Sequence, residues 1–111
     1  MSPFALNRTT RVFVKTGATD LRLSFEGLYA QVVNVLKADP LSGHLFCFCN
    51  RARTRVKILT FDGSGLWVFA KRLERARFCW PQSGEAQIDP LQLQAMLTGF
   101  ELEERRNWYR R

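Results

Sequence analysis

Residues 45–72 read L-F-C-F-C-N-R-A-R-T-R-V-K-I-L-T-F-D-G-S-G-L-W-V-F-A-K-R, and this stretch decides the fold. Leu45–Cys49 is apolar at every position, which predicts a strand covered on both faces and therefore central in a sheet. Arg55–Phe61 alternates in polarity and predicts a second strand. The D-G-S-G turn at 62–65 then leads to a third strand at 66–71, so these strands are expected to be antiparallel.

The segment before this meander predicts one strand and one helix. Residues 11–15 read R-V-F-V-K, a short β-branched strand. Apolar residues at helical spacing then predict a helix of about four turns, capped by Thr19 or Asp20. Asp39 precedes Pro40 and should stop that helix, because a residue before proline avoids the helical region.

The segment after the meander predicts a further strand at 77–80, a linker at 82–87 and a second helix. Asp89 is the expected N-cap of that helix, and the proline after it occupies the first helical position. The whole order predicts an α+β fold: a small antiparallel sheet of about four to five strands against one long helix, with a C-terminal helix. The expected organisation is a loose arm (1–10), one α+β domain (11–81), and a linker with a C-terminal helix and basic tail (82–111).

The composition is that of one globular domain. The 111 residues are 46% hydrophobic and 24% charged, with neither a long apolar run nor a leader pattern, which favours a cytoplasmic protein. Cys47 and Cys49 share a strand face and are expected to be buried thiols in a reducing compartment. The single histidine, His44, adds too little for a zinc site, so no metal and no cofactor are expected.

Charge is the first functional clue. Lys and Arg number 17 against 10 Asp and Glu, which gives a net charge of +7, and most of the cations are arginine. Arginine suits planar, bidentate contact with phosphate or carboxylate. The balance favours a polyanionic partner, with nucleic acid first and an acidic protein or a membrane surface behind it.

The cations concentrate in residues 51–77, where only Asp62 and Glu74 oppose them. Where this chain is extended, alternate cations project to one side and form a stripe spaced for a phosphate backbone. The candidate nucleic-acid-binding residues are Arg51, Arg53, Arg55, Lys57, Lys71, Arg72, Arg75 and Arg77. Four aromatic residues lie close in sequence and suit either base stacking or, as we favour, the core: Trp67, Phe69, Phe78 and Trp80.

A second basic cluster lies at the C-terminal end of the chain. Such an arm binds nucleic acid, docks on a partner, or is simply a loose end. Its members are possible secondary binding residues: Arg105, Arg106, Trp108, Tyr109, Arg110 and Arg111.

Catalysis has little support in the sequence. A metal-dependent nuclease built on Asp62 and Glu74 with Lys71 is conceivable, because the two carboxylates flank one predicted strand. However, Asp62 is explained by its turn, and Glu74 has arginines on both sides that would pair with it. We therefore expect no catalytic residues, and minor nuclease activity stays the least favoured alternative.

Six motifs in a fixed order carry a family resemblance: T-G-A-T-D-L-R (16–22), D-P-L-S-G-H-L-F (39–46), N-R-A-R-T-R-V-K-I-L (50–59), D-G-S-G-L (62–66), K-R-L-E-R-A-R-F (71–78) and W-P (80–81). Over residues 11–81 the chain resembles the TnpB-type accessory proteins, encoded by the second open reading frame of insertion-sequence sixty-six (IS66) elements of bacteria. One departure is Ala76, which stands where the family usually has glycine.

The resemblance implies a non-catalytic helper in DNA transposition, in which a separate transposase cuts the strands. Two roles remain open at this point. The first is contact with the phosphates of duplex DNA, with weak sequence specificity. The alternative is a protein-interaction module that docks on the transposase or another element-encoded protein without touching DNA. The sequence does not decide the oligomeric state.

Overall fold

The apolar stretch Leu45–Cys49 forms β2, the middle strand of a five-stranded sheet. The computed structural model describes residues 10–84 and 86–98. The other elements, in chain order, are β1 (Val12–Val14), α1 (Phe25–Asn34), β3 (Arg55–Phe61), β4 (Leu66–Arg72), β5 (Ala86–Ile88) and α2 (Pro90–Leu97). The strands lie in the order β4-β3-β2-β1-β5, so the predicted α+β class is confirmed.

The sheet is mixed, so the prediction of an antiparallel sheet is wrong for one pair of strands. β2, β3 and β4 form the predicted antiparallel meander. β1, however, runs parallel to β2, with Val12 beside Leu45. The physical reason is that a helix separates the two strands in the chain, and a helical crossover is the usual connection between parallel neighbours.

The prediction of one long helix is also wrong, because α1 has only ten residues. The helix begins after Ser24 instead of Asp20, whose carboxylate accepts hydrogen bonds from the backbone and guanidinium of Arg22. It ends before Asp39, because Lys37 adopts a left-handed conformation with φ of 53°. A residue in that conformation turns the chain out of a right-handed helix.

The chain after β4 differs from its prediction in two places. Residues 77–80 form no strand; Phe78 and Trp80 instead bury their rings in the core. β5 overlaps the end of the expected linker at 82–87 and pairs antiparallel with β1. The start of α2 is as predicted: the Asp89 carboxylate accepts the N–H of Gln92, whose side chain accepts the N–H of Asp89 in return.

The sheet has a separate apolar cluster on each face. On the α1 face, Leu28 and Val32 pack on the phenylalanines of β2 and on Leu59. On the α2 face, Leu93 packs with Phe78, Trp80 and the remaining β2 residues, which include Cys47 and Cys49. Every residue of β2 is therefore buried, which confirms the strand covered on both faces. No helix within the described residues is long and apolar enough to cross a bilayer.

Candidate nucleic-acid interface

Asn50 builds the turn between β2 and β3. Its Oδ1 accepts the N–H groups of Thr54 (2.9 Å) and Arg55 (3.0 Å), and its Nδ2 donates to the Thr54 hydroxyl (3.1 Å). The N–H of Arg53 donates to the Asn50 carbonyl, and Arg53 has a φ of 60°. Arg51 and Arg53 therefore lie on a tight turn and do not extend the alternation of β3.

The loop that follows β4 is hydrogen-bonded to this turn. The N–H of Leu73 donates to the Thr54 carbonyl (2.8 Å), and the N–H of Phe78 donates to the Arg53 carbonyl (2.7 Å). Between these two bonds Ala76 has a φ of 64°, a region that favours glycine. The buried Phe78 ring anchors the loop, so the arginines at 75 and 77 lie at the same end of the sheet as the turn.

The connection between β1 and α1 reaches the same end. The N–H of Thr19 donates to the Cys49 carbonyl (2.8 Å), and a groove of about 630 Å³ separates this connection from the turn. Arg22, Arg51 and Arg55 are among the residues that line the groove. Sequence analysis missed Arg22, because it lies far from the dense run of cations at 51–77 and within the predicted first helix.

Arg22 forms a forked ion pair with Asp20. Its Nε lies 3.0 Å from Oδ1 and its NH2 atom 2.6 Å from Oδ2, and the arginine side chain remains 90% exposed. The hydrogen bonds from Arg22 lower the pKa of Asp20 to about 2. The hydrogen bond to Asp20 in turn raises the pKa of Arg22, so both side chains are ionised at any pH near neutrality.

Seven arginines meet at this end of the sheet, which we call the basic end: Arg22, Arg51, Arg53, Arg55, Arg72, Arg75 and Arg77. Two carboxylates accompany them, which leaves a net charge of +5: Asp20 pairs with Arg22, and Glu74 accepts from Nε of Arg72 (2.9 Å). Four of the arginines make no ion pair within residues 10–84 and 86–98: Arg51, Arg55, Arg75 and Arg77.

Two of these arginines are direct neighbours across the sheet. Arg55 is the cross-strand partner of Arg72 in the β3–β4 register, and both side chains are exposed. Like charges directly opposite each other destabilise a sheet by up to about 1 kcal/mol. The Glu74 carboxylate on Arg72 offsets only part of this repulsion, because Arg55 has no ion pair among the described residues, so a local electrostatic cost remains at the basic end.

The two lysines of the predicted cluster lie on opposite faces of the sheet. Lys57 is on the α1 face, where Nζ donates to the Leu23 carbonyl (2.8 Å) before the start of the helix. Lys71 is on the α2 face, where Nζ donates to the Leu97 carbonyl (2.6 Å). That carbonyl ends α2, so the ammonium also interacts favourably with the helix dipole.

The aromatic residues near the cations separate into two groups. Phe78 and Trp80 are in the core, as favoured from sequence, and Trp80 Nε1 donates to the Lys15 carbonyl (3.0 Å). The prediction of a core position is wrong for Trp67, which is 45% exposed and stacks on Phe69 with their ring centroids 5.8 Å apart. This pair lies along β4 and faces the same side of the sheet as α2.

The two carboxylates of the nuclease alternative are far apart. Asp62 lies in the β3–β4 turn, where it accepts the N–H groups of Ser64 (2.8 Å) and Gly65 (2.9 Å) and Nε1 of Trp67 (2.7 Å). These donors lower its pKa well below the usual range. Glu74 follows the other end of β4. Because β4 has seven residues, its length separates Glu74 from Asp62 by roughly 20 Å. In the described part of the chain, no three His, Cys, Asp or Glu side chains cluster as a metal site requires.

The thiols have the burial that the sequence predicted. Cys47 and Cys49 are buried, and burial raises the pKa of the Cys47 thiol strongly and that of Cys49 to about 11. Cys79 is exposed, since the rings on either side of it point into the core. His44 directly precedes β2, and its Nδ1 accepts a hydrogen bond from the backbone N–H of Arg11 (3.0 Å).

The second basic cluster, residues 105–111, lies outside the described residues. Its predicted role therefore stays a prediction.

Comparison with known proteins places the chain in a family. Residues 10–107 match the model of the family described as IS66 Orf2 like protein. The chain belongs to this family. The match to the IS66 Orf2-like family also extends beyond residue 81, where the motifs quoted above end. Membership supports an accessory role in insertion-sequence elements.

Two proteins from Sinorhizobium fredii are similar to this chain. The uncharacterized protein y4hO is 42% identical over 96 residues, which cover 85% of this chain and 84% of that protein. The uncharacterized protein y4jC is 31% identical over 97 residues, which cover 86% of this chain and 83% of that protein. No solved structure gives a significant match.

Proposed function

We propose that this IS66 Orf2-like protein is a non-catalytic accessory protein of transposition in the bacterial cytoplasm, and that its basic end contacts DNA phosphates. The observation that carries the proposal is the convergence of three separate backbone segments, which bring seven arginines to one end of the sheet beside only two carboxylates. Four of the arginines lack a carboxylate partner among the described residues, so they are available to an anionic ligand.

The arrangement favours phosphate over a stabilising role for these side chains. Arg55 and Arg72 repel each other across the β3–β4 pair, and a phosphate backbone would relieve that repulsion. The guanidinium fork binds phosphate oxygens bidentately. Phosphate contacts position a protein on a duplex and carry no sequence information directly, so the proposal includes little base readout.

The test is a salt titration of binding to a duplex, followed by fluorescence anisotropy. If about five arginines contact phosphates, log K falls with log salt at a slope of about −4 to −5, because each contact releases about 0.9 counterion. No binding at low salt, or a flat slope, would overturn the proposal.

A matched pair of variants locates the contact. Arg51→Gln and Arg55→Gln should each weaken binding and reduce the slope by about 0.9. Arg11→Gln changes the net charge equally but lies before β1, at the opposite end of the sheet, and should leave the slope unchanged. Equal losses in all three variants would mean that net charge, and not the basic end, drives the binding.

A second candidate is docking on the element's transposase. It is favoured by the family context, since membership suggests association with transposase-related proteins. Arginine forks bind carboxylates as well as phosphates, so the basic end suits an acidic protein surface too. Co-purification with the transposase separates the two candidates: an association that survives nuclease treatment supports docking, and one that nuclease abolishes supports DNA contact.

A further inference from the structure

β4 forms a long open edge of the sheet. It has seven residues, and within residues 10–84 and 86–98 no strand pairs with its outer side. The opposite edge is β5, which has only three residues. Short edge strands are one way in which proteins avoid pairing with other chains, and a long edge needs other protection.

The hydrogen-bond pattern of the hairpin shows which groups face outward. The N–H of Asp62 donates to the Gly65 carbonyl at one end, and the N–H of Leu73 donates to the Thr54 carbonyl at the other. Bonded pairs alternate along an antiparallel ladder, so the odd-numbered residues of β4 bond to β3. The outward N–H and C=O groups therefore belong to Leu66, Val68, Ala70 and Arg72.

This edge carries little of the usual protection. It contains no proline, and its charges stand only at the last two positions, Lys71 and Arg72. Its first five residues, L-W-V-F-A, carry no charge, and the middle three have high strand propensity. Trp67 adds an exposed aromatic surface, 45% accessible, beside the outward backbone groups.

We propose that β4 pairs antiparallel with β4 of a second copy of this chain, which joins two five-stranded sheets into one. The fullest overlap places the two-fold axis at Phe69. Leu66 then faces Arg72 of the other copy, and Val68 faces Ala70. All four positions have outward backbone groups, so each of these pairs exchanges two hydrogen bonds as an antiparallel ladder requires.

The charges favour this register. Trp67 of one copy faces Lys71 of the other, whose aliphatic stem can pack on the indole while its ammonium keeps the bond to the Leu97 carbonyl. Arg72 of one copy faces Leu66 of the other copy and not the other Arg72. The two Arg72 residues are six residues apart along the ladder, or roughly 20 Å. That distance exceeds the Debye length of about 8 Å at physiological ionic strength, so the two basic ends do not oppose association.

The first test is the mass of the full chain in solution, measured by sedimentation over a range of concentrations. We expect a dimer that dissociates on dilution. Trp67→Lys places a lysine opposite Lys71 of the other copy at both symmetry-related positions of the dimer. The repulsion between these lysines should dissociate the dimer into monomers. Trp67→Glu loses the same aromatic contacts but attracts Lys71, and should retain the dimer. A monomer at every concentration, or equal behaviour of the two variants, overturns the proposal.

A second test reads the register directly by disulfide formation with copper–phenanthroline, in a Cys79→Ser background. The two copies of residue 69 form a non-hydrogen-bonded pair with Cα atoms about 4.5 Å apart, within disulfide range. Phe69→Cys should therefore cross-link into a dimer. Trp67→Cys should not, because its two copies lie roughly 13 Å apart. Cross-linking of both or only of Trp67→Cys refutes this register, and thermal melting checks that each variant is folded.

Discussion

Replacement of Asn50 by alanine tests how the turn of the basic end is held. The Asn50 side chain makes three hydrogen bonds, two of which satisfy the N–H groups of Thr54 and Arg55. Each such bond contributes about 1 kcal/mol, and the variant removes the acceptor of the partly buried Thr54 N–H and of the exposed Arg55 N–H. We expect Asn50→Ala to lower the free energy of unfolding by about 2–3 kcal/mol, or the melting temperature by roughly 10 °C.

The control is Asn50→Asp, which keeps the Oδ1 acceptor and loses only the bond donated to the Thr54 hydroxyl. It should cost about 1 kcal/mol or less, because a carboxylate accepts N–H bonds more strongly and lies among arginines. Urea denaturation gives both values, and hydrogen exchange should accelerate at the amides of Thr54 and Arg55 in the alanine variant. A loss under about 0.5 kcal/mol for Asn50→Ala, or equal losses in both variants, would refute the reasoning.

Three further predictions concern single residues. Ala76→Gly should stabilise the fold by about 0.5–1 kcal/mol in urea denaturation, since Ala76 has a φ of 64°, whereas Ala52→Gly in the neighbouring turn should not. In the native protein, a thiol reagent should label Cys79 alone, and denaturation should release the buried thiols of β2; rapid native labelling of three thiols would contradict the described core. Asp62 has a pKa held below its ordinary value of 3.8, so its contribution to stability is complete above about pH 4 and is lost as the pH falls toward the lowered pKa. Asp62→Asn should therefore be less stable than the native protein at neutral pH, and the difference should shrink on acid titration.

The parts of the fold that were predictable are those that local sequence decides. β2 follows from five consecutive apolar residues, and the β3–β4 hairpin from its D-G-S-G turn. The cap of α2 follows from the D-P pair and is strengthened by Gln92, three residues after the cap.

The parts that were not predictable depend on contacts between distant residues. The start of α1 was placed too early, because Asp20 bonds Arg22 and the Leu23 carbonyl bonds Lys57, which lies 34 residues away. β5 has no distinctive pattern and is a strand because it pairs with β1, more than seventy residues earlier. Pairing with β1 also fixes the order of the sheet, which no short window of sequence contains.

The candidate site was predictable in its composition and less so in its geometry. An antiparallel hairpin returns to its starting point, so cations before β3 and after β4 had to meet. The face of the sheet on which each lysine lies depends on the β3–β4 register. Lys57 pairs with Ala70, so the next residue, Lys71, lies on the other face. Arg22 enters the site only because α1 begins later than its apolar spacing suggested.

The chain divides its cations by chemistry. The ammonium of each of its two cluster lysines donates to a backbone carbonyl at a helix boundary. The cations at the basic end are all arginine, and Arg55 opposes Arg72 at a cost to the sheet. If these arginines served to stabilise the fold, we would expect them to be spread over the surface or paired with carboxylates. A cluster that costs stability, and that consists only of the side chain suited to forked contact with phosphate or carboxylate, is better explained by an anionic partner than by the needs of the fold.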